Sequence, residues 1–136
     1  MEEITVLCVD DDPSLLMIHQ MVLEASGYTV LAASSGPEAL ELFASCNVDA
    51  VLLDYSMPKM DGGQVAALMK VMKPYVPVVM LSALSSLPEN AQWVDAFVTK
   101  GQSPETWLVR LAGLLEQRQS AEFARGASAY RFPAAA

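Results

Sequence analysis

The sequence predicts a doubly wound α/β domain, with helices on both faces of a five-stranded parallel sheet. Three observations carry that prediction. Short apolar runs at residues 4–9, 28–33, 49–54, 77–81 and 95–99 alternate with stretches whose apolar residues recur at helical spacing. Strands that alternate with helices imply parallel pairing through right-handed crossovers. The runs are near-continuously apolar rather than alternating, as a sheet covered on both faces requires.

The first run ends on Asp10, Asp11 and Asp12. Pro13 then opens a helix whose apolar positions are Leu15, Leu16, Ile18, Met21, Val22 and Ala25, and Gly27 stops it. After the second run, Ser35 serves as N-cap, Pro37 sits in the first turn and Glu38 completes a capping box. Ala39, Leu40, Leu42 and Phe43 supply that helix's buried face. The third run ends on Asp54, and Pro58 with Asp61-Gly62 marks the turn beyond it. Residues 64–72 form a third helix, closed ahead of Pro74.

The fourth run ends on Ser82. The segment after it leaves room for only about two turns of a shortened fourth helix, starting near Pro88. The fifth run ends on Lys100 and Gly101. Ser103, Pro104 and Glu105 open the last helix, with Trp107, Leu108, Leu111, Leu114 and Leu115 as its apolar positions. From Ser120 the chain is alanine-rich and loses periodicity. The expected division is one domain, residues 1–118, and a C-terminal tail, residues 119–136, that is mobile.

At 136 residues and 53% hydrophobic, the chain can bury one proper core and is not a disordered sequence. Its net charge of −8 is uneven: residues 1–116 hold 15 acids against 5 bases, whereas Arg118, Arg125 and Arg131 face only Glu122 in the remainder. An acidic body does not offer nucleic acid a basic face, and the three arginines read as a solvated tail. No apolar run reaches the length of a membrane span, and the acidic start, Met1-Glu2-Glu3, lacks the basic region of a signal peptide. No membrane partner and a cytoplasmic location are the expectations. Cys8 and Cys46 fit no metal-ligand spacing, and Cys8 reads as a small core residue.

In a doubly wound sheet of order 2-1-3-4-5, strands one and three are neighbours, and ligands bind at the carboxyl edge. That order sets Asp10, Asp11 and Asp12 beside Asp54, with Ser82 and Lys100 at the ends of the next two strands. Clustered carboxylates repel and need counter-charge. Carboxylates with a backbone carbonyl suit Mg²⁺, a hard cation that often also touches a phosphate. Lys100 supplies a compact positive charge and Ser82 a hydroxyl donor. Asp54 is then a candidate nucleophile that accepts a phosphoryl group as an acyl phosphate, with the cation and Lys100 neutralising the charge that develops.

Asp10-Asp11-Asp12-Pro13, the Asp54-x-x-Met57-Pro58-x-Met60-Asp61-Gly62 stretch, Ser82-Ala83 and Lys100 together resemble the receiver domain of two-component response regulators, over about residues 3–117. The resemblance implies a flavodoxin-like fold of single-domain type. It implies phosphorylation of Asp54 and a Mg²⁺ site formed by Asp10, Asp11, Asp54 and the Ser56 main-chain carbonyl. It also implies that Ser82 and Lys100 contact the phosphoryl group. The phosphate donor implied is a histidine kinase or histidine phosphotransfer protein. The resemblance further implies that Ser82 and Phe97 are the switch pair, the hydroxyl moving toward the phosphoryl group and the aromatic turning inward. The surface of the fourth helix, fifth strand and last helix, which meets a downstream protein, changes as a result. Phe97 has no hydroxyl, so a switch there rests on packing. Two departures stand out. Gly101 follows Lys100 where the family usually has proline, and the spacing from Ser82 to Lys100 is short, with the loss falling on the fourth helix.

Weighed singly, several residues have plainer roles. Asp12 reads as a helix cap, Asp61 as a turn residue, Met57 and Met60 as packing residues, and His19 as a boundary residue on its helix. Trp93 and Trp107 read as core or interface anchors. The chain is therefore expected to be a phosphorylatable switch rather than a dedicated enzyme, assisting its own phosphotransfer and dephosphorylation. The alternative is a degenerate receiver acting as a phosphorylation-independent scaffold. An aspartyl-phosphate phosphatase would use Asp10-x-Asp12 but leaves Asp54 unexplained, and a flavodoxin would need a phosphate loop that three aspartates would repel.

Overall fold

The computed structural model describes residues 3–135, with side chains through residue 122. Strands β1 (Thr5–Val9), β2 (Thr29–Ala33), β3 (Ala50–Asp54), β4 (Val78–Ser82) and β5 (Ala96–Thr99) form one parallel sheet of order β2-β1-β3-β4-β5. Around them lie α1 (Pro13–Ala25), α2 (Gly36–Ser45), α3 (Gly62–Met72) and α4 (Pro104–Ala135). The doubly wound sheet is as predicted.

Successive strand residues point to opposite faces, so each strand feeds two cores. Leu7 and Val9 of β1 join Phe43, Val51, Leu53, Val65, Met69 and Met80 under α2 and α3. Val6 and Cys8 join Leu23, Leu52, Val79, Leu81, Trp107 and Leu111 under α1 and α4. This double burial is why the strand sequences show no polar alternation: β3 and β4 are buried along their whole length.

Local chemistry sets the helix starts. Asp12 caps α1 by accepting the Ser14 and Leu15 N–H groups at 2.9 and 3.3 Å. Asp61 caps α3 in a reciprocal capping box with Gln64. The Ser35 hydroxyl accepts the Glu38 N–H at 3.3 Å at the start of α2.

One element falls short of its expected length. In place of about two turns of a fourth helix, the chain makes a single 3₁₀ turn, Glu89–Ala91. Pro88 enters it in an extended conformation, and by Asp95 the chain is back at the sheet, its N–H donating to the Val78 carbonyl at 2.9 Å. Residues 89–94, between those two points, are too few for two full α-helical turns. Where a fourth helix was expected beside β5 and the last helix, the chain has a loop that exposes Leu84 and Leu87.

The last helix departs as well. α4 continues to Ala135, past the expected domain end at residue 118. Arg118 is not part of a solvated tail: its Nη1 donates to the Asp49 carbonyl at 2.6 Å, and its guanidinium lies over the Tyr75 ring. The expected mobility of residues 119–136 concerns mainly residues whose side chains are outside the described set.

Candidate functional site: a buried carboxylate pocket at the carboxyl edge

Parallel register builds the site. Val9 of β1 lies opposite Leu53 of β3, so the residues that follow, Asp10 and Asp54, leave the sheet side by side. Both are buried, 1% and 2% exposed, while Asp11 is open to solvent. One carboxylate oxygen from each of Asp10, Asp11 and Asp54 falls within 4.8 Å of the others. Asp10 is held by the Asp12 N–H, which donates to its Oδ1 at 2.9 Å.

Lys100 enters from β5. Its own N–H donates to the Ser82 carbonyl at 2.7 Å, which fixes where the side chain begins. Its Nζ lies 2.6 Å from Asp54 Oδ1 and 3.8 Å from Asp10 Oδ2. The contact with Asp54 is an ion pair by distance rather than an aligned hydrogen bond. Among the described residues, Asp54 Oδ1 and Asp10 Oδ2 are buried without a hydrogen-bond partner. Buried carboxylate oxygens without partners are costly and call for a cation. Two of them, with Asp11 alongside, make an all-oxygen donor set that fits a hard divalent ion such as Mg²⁺.

Burial pushes the Asp54 carboxyl above its ordinary 3.8, and the Asp10 charge adds to that. Lys100 and the Ser56 backbone N–H oppose the rise without cancelling it. Burial works to lower the Lys100 ammonium, but its ion pair with Asp54 and the charges of Asp10 and Asp11 outweigh this and raise it above 10.5. Lys100 is therefore firmly charged, and Asp54 carries its negative charge at a cost.

The Ser82 side chain is buried at the end of β4, and its Oγ accepts the Leu84 N–H at 3.1 Å. Ser56 is exposed in the loop after β3. That loop is closed by the Gly62 N–H donating to the Tyr55 carbonyl at 2.8 Å, and it turns through Lys59 at φ +68°. Gly62 is required there: a Cβ would sit 2.6 Å from the Asp54 carbonyl oxygen. Phe97 lies opposite Met80 in the register, half-buried against the core under α2 and α3. Gly101 takes φ +92°, a conformation closed to proline, so the chain leaves Lys100 by a route its sequence departure requires.

Asp10, Asp11, Asp54 and Lys100 are thus brought together as expected. Asp12 and Asp61 act as caps. His19 is a boundary residue, edge-on to Trp107 at 5.6 Å between ring centres, beside a cavity of about 370 Å³ that Lys100 also lines. Trp107 is core and Trp93 exposed. Sequence reasoning missed Tyr55 and Asn90, which hydrogen-bond to each other at 3.0 Å between the loop after β3 and the 3₁₀ turn. No periodicity or motif marks such a pair; it exists only once the chain has folded.

The sequence profile of the response regulator receiver domain matches residues 6–110. This chain belongs to that family. Among curated relatives, the receiver resembles the transcriptional regulatory protein GlrR of Escherichia coli, at 36% identity over 115 residues, covering 82% of this chain and 26% of that protein. It also resembles the alkaline phosphatase synthesis transcriptional regulatory protein PhoP of Bacillus subtilis, at 32% over 120 residues, covering 85% and 50%. The chain thus spans about a quarter to a half of the length of these relatives. Among solved structures, a CheY-like receiver from Methanospirillum hungatei superposes with a TM-score of 0.82 at 25% identity, covering 88% of this chain and 99% of that one. The response regulator TrrA of Thermotoga maritima, solved in complex with Mg²⁺ and BeF, has a TM-score of 0.78 at 29% identity, covering 82% and 98%. The receiver fold and membership of two-component signalling follow. No helix among the described residues is long and apolar enough to cross a membrane.

Proposed function

We propose that this receiver is a phosphoacceptor switch, phosphorylated on Asp54 from a phosphohistidine donor. The observation that carries the reading is the pocket itself: Asp54 is buried beside Asp10 and Asp11, with Lys100 Nζ 2.6 Å from its Oδ1.

A carboxylate oxygen of Asp54 attacks phosphorus, forming a P–O bond as the P–N bond of the donor breaks. The electron pair goes to the histidine nitrogen, which takes up a proton. Asp10, Asp11, Asp54 and the Ser56 carbonyl would hold Mg²⁺, which when bound neutralises phosphoryl charge. Lys100 is already positioned at the accepting carboxylate and stays charged throughout, so it can follow a phosphoryl oxygen without a proton changing hands. The Ser82 hydroxyl, bonded to the Leu84 N–H in the present state, would turn to the phosphoryl group and release that loop. Phe97 already packs inward and would register the change by packing alone. The receiver would assist this transfer and its reversal by water without being a dedicated enzyme.

The donor would be a histidine kinase or a histidine phosphotransfer protein. The downstream partner would be a protein that meets the surface of the 83–91 segment, β5 and α4. The acidic body gives nucleic acid no basic face, and a cytoplasmic setting suits a partner of that kind. The competing reading is a scaffold that binds partners without phosphorylation; the single 3₁₀ turn and Gly101 are the features that favour it.

Intact mass after incubation with acetyl phosphate, with and without Mg²⁺, tests the proposal on the wild type and Asp54→Asn. One phosphoryl group, dependent on Mg²⁺ and absent in the variant, is the expected result. If neither acetyl phosphate nor a phosphorylated histidine-bearing donor modifies the wild type, the scaffold reading replaces this one.

A further inference from the structure

The reduced connection between β4 and β5 is tied to the acceptor loop by side chains. Tyr55, the residue directly after Asp54, donates its hydroxyl proton to Asn90 Oδ1 at 3.0 Å. Asn90 sits in the single 3₁₀ turn, and its Nδ2 donates to both carboxylate oxygens of Asp61, at 3.0 and 3.2 Å. Asp61 in turn caps α3. The Gly62 N–H returns to the Tyr55 carbonyl at 2.8 Å, which closes a ring of contacts.

The ring leaves no slack. A Cβ on Gly62 would meet the Asp54 carbonyl oxygen at 2.6 Å, and a Cβ on Gly63 would meet the Asn90 backbone oxygen and side chain at 2.7 Å. The start of α3 is thus wedged between the acceptor peptide on one side and the 3₁₀ turn on the other. A helix in this place would rest on its neighbours through a broad apolar face. A single turn has no such face: Ala91 is its buried residue, and Asn90 supplies its directional bonds.

We infer that Tyr55 and Asn90 are positioning residues that transmit the state of Asp54 to the 3₁₀ turn and the exposed Trp93 beyond it. The inference rests on the phosphoacceptor reading and adds to it a route that does not pass through Phe97. Any shift of residues 54–62 on taking up a phosphoryl group must be shared with Asn90, because Tyr55 and Asp61 hold it from two sides. Trp93, 52% exposed and two residues past the turn, is carried with it.

The experiment uses the full chain carrying Trp107→Phe, so that Trp93 is the only tryptophan. Its emission is followed while Mg²⁺ and acetyl phosphate are added, and intact mass is taken on the same samples. The same is done with Tyr55→Phe, which removes one hydroxyl, and with Asn90→Ala. The expected result is a change in Trp93 emission on phosphorylation, lost in both variants although the phosphoryl adduct still accumulates. A Trp93 response that survives in the variants, or is absent in phosphorylated protein with the ring intact, overturns the inference. Should Trp107→Phe prevent folding, amide hydrogen exchange of residues 83–94 in the otherwise native chain replaces emission, with the same outcomes. Absence of any adduct with acetyl phosphate and with a phosphorylated histidine-bearing donor is read by mass alone; it overturns the phosphoacceptor reading, and the transmission with it.

Discussion

Lys100 Nζ stands 2.6 Å from Asp54 Oδ1 and reaches it from two strands away, across Ser82. The lysine is the one ammonium facing three carboxylates among the described residues of the pocket. Its charge is shared, since Asp10 Oδ2 is also within 3.8 Å. The pocket therefore keeps an excess of negative charge in a buried place, and its chemistry comes at the expense of stability.

That excess makes Asp54→Asn a stabilising substitution. The amide keeps the shape and removes a buried charge whose neighbours include two more carboxylates. At neutral pH the gain is about 1–2 kcal/mol, read as the shift of the urea midpoint without Mg²⁺. The pH dependence follows from the sign of the shift. Burial raises the folded-state pKa of Asp54 above 3.8, so the folded protein holds that proton more tightly than the unfolded chain does. The stability the proton supplies is complete below the unfolded value and is lost as pH rises through the folded one. The advantage of Asp54→Asn over the wild type should therefore widen on going from about pH 4 to neutrality. A constant or shrinking gap would contradict the assignment.

Two glycines of the site should respond differently to alanine. At Gly62 the new Cβ meets the Asp54 backbone, which cannot move aside without displacing the Asp54 carboxylate. Gly62→Ala is expected to cost about 2–3 kcal/mol and to suppress the phosphoryl adduct. At Gly101 nothing lies within 4 Å of the new Cβ, and only φ +92° resists it. Gly101→Ala is expected to cost about 1 kcal/mol and to leave the adduct in place. Urea denaturation with intact mass separates the two cases.

The cysteines should differ in reactivity. Cys8 is fully buried in β1, and burial, with the Asp10 charge, pushes its thiol up to about 12. Cys46 is half-exposed at the end of α2. Titration of the native protein with a disulfide reagent at mildly alkaline pH should modify Cys46 alone, and both thiols should react in denaturant. Rapid native modification of Cys8 would mean that β1 opens readily.

Much of this receiver was legible in the residue order. Near-continuous apolar runs separated by helical periodicity specify a doubly wound sheet, because only strands buried on both faces can do without polar residues. Asp10, Asp54, Ser82 and Lys100 each stand at the end of such a run, and parallel strands carry all such ends to one edge. Caps such as Asp12 and Asp61 are local and depend on neighbours within three residues. What only the tertiary structure decided is whatever depends on distance across the chain. The fourth helix shrinks to one turn between Pro88, which enters it extended, and Asp95, which is already bonded to Val78 of β4. Arg118 turns from tail to anchor because Asp49 and Tyr75 lie beneath it. The Lys100 pairing with Asp54 and Asp10 and the Tyr55–Asn90–Asp61 ring exist only where separate strand ends and loops are brought within reach of one another. Periodicity and capping act over a few residues and can be read along the chain; desolvation, charge pairing and steric closure act through space and appear only when it has folded.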